Sequence, residues 1–253
     1  MAIRILEVSK GSLAELSGMQ PGDSILKINA EDVLDEIDYQ ALVTHRRLSI
    51  QLEDEAQNIR TVTISKDPYA PLGLTLDERA ALSPRVCKNH CIFCFVDQLP
   101  PNMRDTLYVK DDDWRLSLMM GNFVTLTNVD DHEFDRILRR KASPLYISVH
   151  ATAPDVRVHM LRNPQAGKIM DRLKAMREHH LKFHCQVVLC PGINDGEILH
   201  QTIVDLASLH PAALSLAIVP VGLTGHRSGL ENLRAFTRDE ARELIRDLEL
   251  IQA

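Results

Sequence analysis

Apolar and polar positions change their period part-way along this chain. Residues 4–8 alternate as a strand does, and 11–18 read as a short helix closed by Gly18. Pro21, Gly22 and Asp23 make a tight turn before a strand at 24–29. Helical spacing follows at 34–44, then two strand-like runs, 48–52 and 60–64, joined as a hairpin through 53–58. Residues 67–71, Asp-Pro-Tyr-Ala-Pro, have linker composition. From about residue 79 strands alternate with helices. The strands are a short one around 82–86, then 123–128, 145–152, 183–190 and 214–221. The helices are 131–140, 166–179, 197–209 and 237–251. Such alternation predicts parallel strands joined by right-handed crossovers, as an open sheet or a barrel.

Within the strands, parity sorts the side chains. Leu145, Ile147 and Val149 oppose Tyr146, Ser148 and His150, and Val124 and Leu126 oppose Thr125 and Thr127. In 183–190, Val187 and Leu189 oppose His184, Gln186 and Cys190. The apolar parity should face helices, leaving a polar face of Thr, Ser, His and Gln that suits a ligand cavity better than a packed lumen. Cys185 falls on the apolar side and reads as a small core hydrophobe. Cys190 falls on the polar side at a strand end, either facing substrate or buried and inert.

Composition narrows the setting. In 253 residues there is room for a small domain and a medium one, and 45% hydrophobic with 25% charged residues is ordinary for a globular chain. A net charge of −6 argues against a nucleic-acid partner held mainly by electrostatics, leaving room only for an RNA met by a local basic patch. No stretch approaches a membrane span, and the first residues lack a secretion signal, so reducing cytoplasm is expected.

Three of the five cysteines crowd into Cys87-Lys-Asn-His-Cys91-Ile-Phe-Cys94, a Cys-x3-Cys-x2-Cys loop. Three thiolates at this spacing can ligate three irons of a [4Fe–4S] cluster and leave the fourth open. A structural zinc site with His90 or a distant cysteine is the competing reading, but the chain has no second cysteine pair. Downstream, Asp111-Asp112-Asp113 precede Trp114 and Arg115; they read as a solvated helix start, or as partners of Arg115.

The cysteine loop matches the motif of radical S-adenosylmethionine (SAM) enzymes. With Asp-Asp-Asp-Trp-Arg-Leu-Ser at 111–117, Gly-Asn-Phe-Val-Thr-Leu-Thr-Asn at 121–128 and Val-Leu-Cys-Pro-Gly-Ile-Asn-Asp-Gly at 188–196, it resembles PDZ-fused radical SAM proteins of unassigned substrate. Residues 11–29 resemble the signature of bacterial PDZ domains. The resemblance implies a PDZ-like domain at 1–66, a linker or displaced carboxylate loop at 67–80, and a partial (β/α)6-type radical SAM barrel at 81–253. It implies a [4Fe–4S] cluster on Cys87, Cys91 and Cys94, with SAM chelating the open iron. The reduced cluster would cleave SAM to a 5′-deoxyadenosyl radical. Thr127 and Asn128 would hold the SAM amino group, and Ser148 and Gln186 its carboxylate, its ribose or the substrate. Gly222 would let backbone approach the adenine. His150 stands as a proton donor or a satisfied core histidine, and Cys190 as a hydrogen-atom donor, an extra cluster ligand or a plain thiol. The implied partners are an electron donor of flavodoxin or ferredoxin type and a peptide or protein in a groove at residues 72–74. The alternative is a PDZ-type peptide-binding protein with a structural or redox-sensing cluster. Relatives continue with a sixth strand and a further domain, so the chain reads as truncated, with an uncovered barrel edge.

Overall fold

The computed structural model describes residues 3–77 and 84–252, and the chain divides into two compact units, Met1–Ser83 and Pro84–Ala253. The first is an antiparallel sheet with two short helices. Its elements are β1 (Ile3–Val8), α1 (Leu13–Leu16), β2 (Ser24–Ile28), β3 (Glu31–Asp32), α2 (Glu36–Val43), β4 (Arg47–Glu53), β5 (Ile59–Ser65) and β6 (Leu74–Leu76). The sheet order is β5-β4-β2-β1-β6, with β3 on β2. Alternate apolar residues of the strands, among them Ile5, Ile25, Ile50 and Leu52, meet Leu42 of α2 in one core. α2 starts where it does because Asp35 accepts the N–H groups of Ile37 and Asp38.

The stretch expected as linker or displaced loop is partly built into this sheet. β6 pairs antiparallel with β1, Val8 opposite Leu74. Leu72 is buried in the core, and Ser9 and Ala14 donate their N–H groups to the carbonyls of Gly73 and Leu72 at 2.8 and 3.0 Å. An apolar side chain locked into a core cannot belong to a free tether.

The second unit alternates strands and helices. In chain order it runs α3 (Trp114–Met120), β7 (Phe123–Val124), α4 (Asp131–Arg139), β8 (Leu145–Ser148), α5 (Pro154–Leu161), α6 (Ile169–Glu178), β9 (Phe183–Leu189), α7 (Gly196–Ala207), β10 (Ala213–Pro220) and α8 (Arg238–Gln252). The strands form one parallel sheet in the order β10-β9-β8-β7. The strand expected around 82–86 falls largely outside the described residues; Val86 makes an isolated bridge to Asp111.

Two strands stop earlier than alternation predicts. The strand expected to reach 128 ends at Val124 because Thr125 gives its N–H to the Asp112 carboxylate at 2.6 Å instead of to a neighbouring strand. The strand expected to reach 152 ends at Ser148. There Val149 and His150 both donate to the Gln186 carbonyl, at 2.8 and 3.3 Å, and His150 turns to φ +62. Two residues facing one is a bulge, which re-aims the side chains that follow. α5 was not expected; Pro154 opens it at the first helical position.

Parity is observed along β8 and β9. Leu145, Ile147, Val149, Val187 and Leu189 are fully buried, and the last two pack on Leu199 and Ile203 of α7. On the opposite face the side chains stand in register: Phe123 by Tyr146, Tyr146 by His184, His184 by Ser215, and Ser148 by Gln186. The Tyr146 and His184 rings stack at 4.7 Å and 20°. β10 is an open edge with Leu214 and Val219 exposed, and α8 has no buried side chain. Among the described residues no helix is long and apolar enough to cross a membrane.

Candidate metal centre

The loop that carries Cys87, Cys91 and Cys94 has almost no regular structure, so its shape depends on what grips it. The N–H groups of His90 and Ile92 donate to the carbonyls of Leu161 and Met160, at 3.1 and 2.9 Å, which hangs the loop on the end of α5. Asn89 is buried beside it: its amide donates to Thr125 Oγ1 at 3.0 Å, and its oxygen accepts from Thr127 Oγ1 and Asn163 Nδ2 at 2.8 and 2.7 Å. Asp112 closes this web, accepting from the N–H and the hydroxyl of Thr125, both at 2.6 Å. Past the last cysteine, Gln98 donates to the carbonyls of Phe93, Cys94 and Gly222 and accepts from the Thr224 N–H. Arg227 Nη2 donates to the Ile92 carbonyl at 3.1 Å. Four separate segments therefore fix one loop.

The donor chemistry fits an iron–sulfur group. All three thiols are half-buried. Burial pushes the Cys87 and Cys94 thiols up, and it pushes Cys91 to about 12, with Cys87 and Cys94 adding to it. The thiols therefore lie close enough to raise one another, and a cationic iron centre would relieve that. Lys110 adds positive charge nearby. Burial works against its ammonium, but Asp97 and the thiols of Cys94 and Cys87 outweigh it and raise its pKa. Among the described residues no three His, Cys, Asp or Glu side chains converge on one metal ion. His90, the nearby residue that a zinc site would recruit, is exposed.

The other expected residues are distributed around this loop. Thr127 and Asn128 adjoin it, but their polar atoms already serve it: Thr127 Oγ1 is on Asn89, and Asn128 accepts from Lys88 N–H and donates to the Val86 carbonyl. Ser148 and Gln186 lie side by side on the polar face of the sheet, one strand apart. The carbonyl of Gly222 is taken by Gln98. His150 is buried; burial, helped by the charge of Arg157, lowers its pKa to about 3.

Of the readings open for Cys190, the plain buried thiol is the one its surroundings match. Cys190 has no exposed surface; it packs in an apolar cluster with Ile92, Met160 and Val221, and burial pushes its thiol to about 12. Of the two readings of the three carboxylates, the solvated one fails, because Asp112 and Asp113 are buried, and the pairing with Arg115 is the one observed. Asp113 caps α3 and binds Arg115 at 2.6 Å; although burial opposes it, Arg115 holds this carboxyl below its usual range.

Sequence reasoning missed Arg157. It is buried under the strand ends and donates to the carbonyls of Ser148, Val149, Thr125 and Ala166, at 2.6 to 2.9 Å. It missed Asn194 as well, which accepts from Cys190 N–H and donates to the carbonyls of His150 and Val188. An asparagine four residues past a strand end is a turn signal that could have pointed to it.

In the first unit a cavity of about 340 Å³ lies between α2, through Tyr39 and Val43, and the approach to β6, through Pro71, Leu72, Gly73 and Leu74. β6 is an edge strand, so its outer backbone groups are open to pairing.

Residues 66–216, well over half of the chain, match the radical SAM-like domain family, and residues 4–53 match the PDZ domain family. No curated protein matches the chain. Among solved structures the chain is similar to a radical SAM methyltransferase from Sphaerobacter thermophilus, with a TM-score of 0.38 and 13% identity, over 94% of this chain and 77% of that one.

Proposed function

The chain belongs to the radical SAM-like domain family, and from that premise we propose that Cys87, Cys91 and Cys94 hold a [4Fe–4S] cluster whose open iron takes the amino and carboxylate groups of SAM. When bound and reduced, that cluster supplies the electron that cleaves SAM to a 5′-deoxyadenosyl radical. The observation that carries this reading is the half-buried trio of thiols in a loop gripped by Asn89, Gln98, Arg227 and the end of α5. Ile92, Cys190 and Val221 pack around the loop and keep water from one side of it.

The sheet acts as part of a partial (β/α)6 barrel, its polar face turned to the ligands. Ser148 and Gln186 on that face supply hydrogen bonds to SAM or substrate. Thr127 and Asn128 act by positioning the loop. His150 is neutral at physiological pH and carries its proton on Nε2, so it works as a fixed hydrogen-bond group and not as an imidazolium acid. The substrate is a peptide, protein or RNA. An extended peptide adds to the edge of β6 beside the cavity under α2, which would deliver a protein substrate. A flavodoxin- or ferredoxin-type protein supplies electrons. That cavity also supports the second reading, in which peptide capture is the function and the cluster is structural or redox-sensing.

Electron paramagnetic resonance of anaerobically reconstituted, dithionite-reduced protein tests the proposal. A [4Fe–4S]+ signal that shifts with SAM and vanishes in Cys91→Ala is expected. A cluster signal indifferent to SAM would favour the second reading, and a colourless zinc protein would end both.

A further inference from the structure

A cleft of about 540 Å³ opens next to Lys88, between the turn after β7 and the segment leading into α6. Its volume falls in the range of small-molecule sites, roughly 300–1,000 Å³. The charges around it are unequal. Lys88 and Lys168 are exposed and have no ionic partner among the described residues. Arg172 is buried, its guanidinium held by the carbonyls of Leu126 and Val129, so its charge is fixed in the wall. Arg162 is spent on Glu231 at 2.8 Å. Of the two carboxylates, Asp130 is committed to capping α4 through the Glu133 N–H. That leaves Lys88, Lys168 and the buried Arg172 beside two carboxylates, Asp130 and Asp131, both of which act on the Arg172 charge, in a chain whose net charge is −6.

Such a set is selective. Two mobile ammonium groups with a fixed guanidinium behind them suit the oxygens of a phosphate. The two carboxylates beside them limit the site to one anion, and Asp131 is placed to accept hydroxyl donors, as acidic residues do from ribose. We propose that this cleft binds a phosphorylated sugar, free or as part of a nucleotide, with its phosphate between Lys88 and Lys168 and its hydroxyls on Asp131. The cleft borders the cysteine loop through Lys88, Thr127 and Asn128, and the proposal does not require SAM at the thiols.

Calorimetric titration of the full chain with AMP, ribose 5-phosphate, adenosine and inorganic phosphate tests this. AMP and ribose 5-phosphate should bind saturably and adenosine should not. Lys88→Gln and Lys168→Gln should each weaken both phosphorylated ligands roughly tenfold. Asp131→Asn should weaken ribose 5-phosphate without weakening inorganic phosphate. Both lysines are exposed, so circular dichroism should show these variants folded as the parent is. Equal binding of ribose 5-phosphate and AMP would assign the site to the sugar phosphate alone, and tighter AMP binding to the nucleotide; either supports the proposal. Adenosine binding as tightly as AMP, an unchanged Lys168→Gln, or saturating SAM displacing AMP would overturn it. Binding of a single-stranded oligonucleotide without binding of AMP would overturn it too.

Discussion

The backbone N–H of Val188 donates to Nδ1 of His150 at 3.1 Å, and this contact sets the tautomer: with Nδ1 accepting, the ring proton lies on Nε2. The same ring lies 4.6 Å from Phe93, tilted by 54°, and Phe93 stands between Cys91 and Cys94 in the chain. The His150 carbonyl is held by Asn194 Nδ2 at 2.7 Å. His150 is thus a strut from the end of β8 to the cysteine loop, and its left-handed backbone at φ +62 aims it there.

A neutral, buried strut predicts an acid-side weakness. The folded-state pKa of His150 is lowered to about 3, from 6.5, by burial first and then by Arg157. Between those values the unfolded chain binds the proton and the folded one does not, so stability is full above pH 6.5 and falls as pH drops toward 3. His150→Asn removes the titration, retains a side-chain acceptor and tolerates positive φ. Urea midpoints measured from pH 7 to pH 4 should fall faster for the parent than for His150→Asn. Parallel curves would show that His150 titrates normally.

Gly73 gives a prediction for the first unit. Its φ is +81, and a Cβ there would lie 2.4 Å from the Ser12 Cβ. Gly73→Ala should cost about 1–3 kcal/mol from backbone strain, with the clash adding to it. Ser12→Gly in the same chain should return the clash part only. Thermal unfolding that leaves Gly73→Ala level with the parent would mean that β6 does not pack on β1 as described.

Local chemistry was legible in the sequence and distant pairing was not. Cys87, Cys91 and Cys94 fall within eight residues, and the alternation of 183–189 is read directly as a strand. Asn89 and Asn163 meet across 74 positions, and no periodicity encodes such a meeting. α5 escaped because Arg157 is buried on its inner face, which breaks the apolar repeat that announces a helix. Three consecutive carboxylates suggest solvent, and only the fold supplies the hydroxyls, amides and guanidinium that let Asp112 and Asp113 be buried. Gly222 and Asn128 lie by the loop, and the Gly222 carbonyl and the Asn128 side chain are engaged with it.

Asp112 is the hub whose removal should loosen the loop. Burial raises its pKa, and the hydrogen bonds from Thr125 and Thr127 oppose that. Asp112→Ala leaves the Thr125 N–H and hydroxyl short of their acceptor, a loss of about 1–3 kcal/mol. Asp112→Asn keeps one acceptor and should lose less. The ranking is read from urea unfolding. Loss of iron from the reconstituted protein on gel filtration should follow the same order, because Asn89 hangs from the same hydroxyls. Equal iron retention in all three proteins would sever the web from the cluster.

Cys190 decides how many cysteines serve the chemistry. It is as buried as Cys185, and burial pushes both thiols to about 12, so at pH 8 neither carries appreciable thiolate. Iodoacetamide should leave both unmodified in the folded protein and label both in urea, as read by peptide mass spectrometry. A thiol that only packs can be shortened without loss of the cluster. Cys190→Ala should keep the reduced cluster signal and its response to SAM, at a stability cost of about 1 kcal/mol for the small cavity left behind. If the signal changes its form in Cys190→Ala while Cys185→Ala leaves it untouched, Cys190 moves from the core to the reaction.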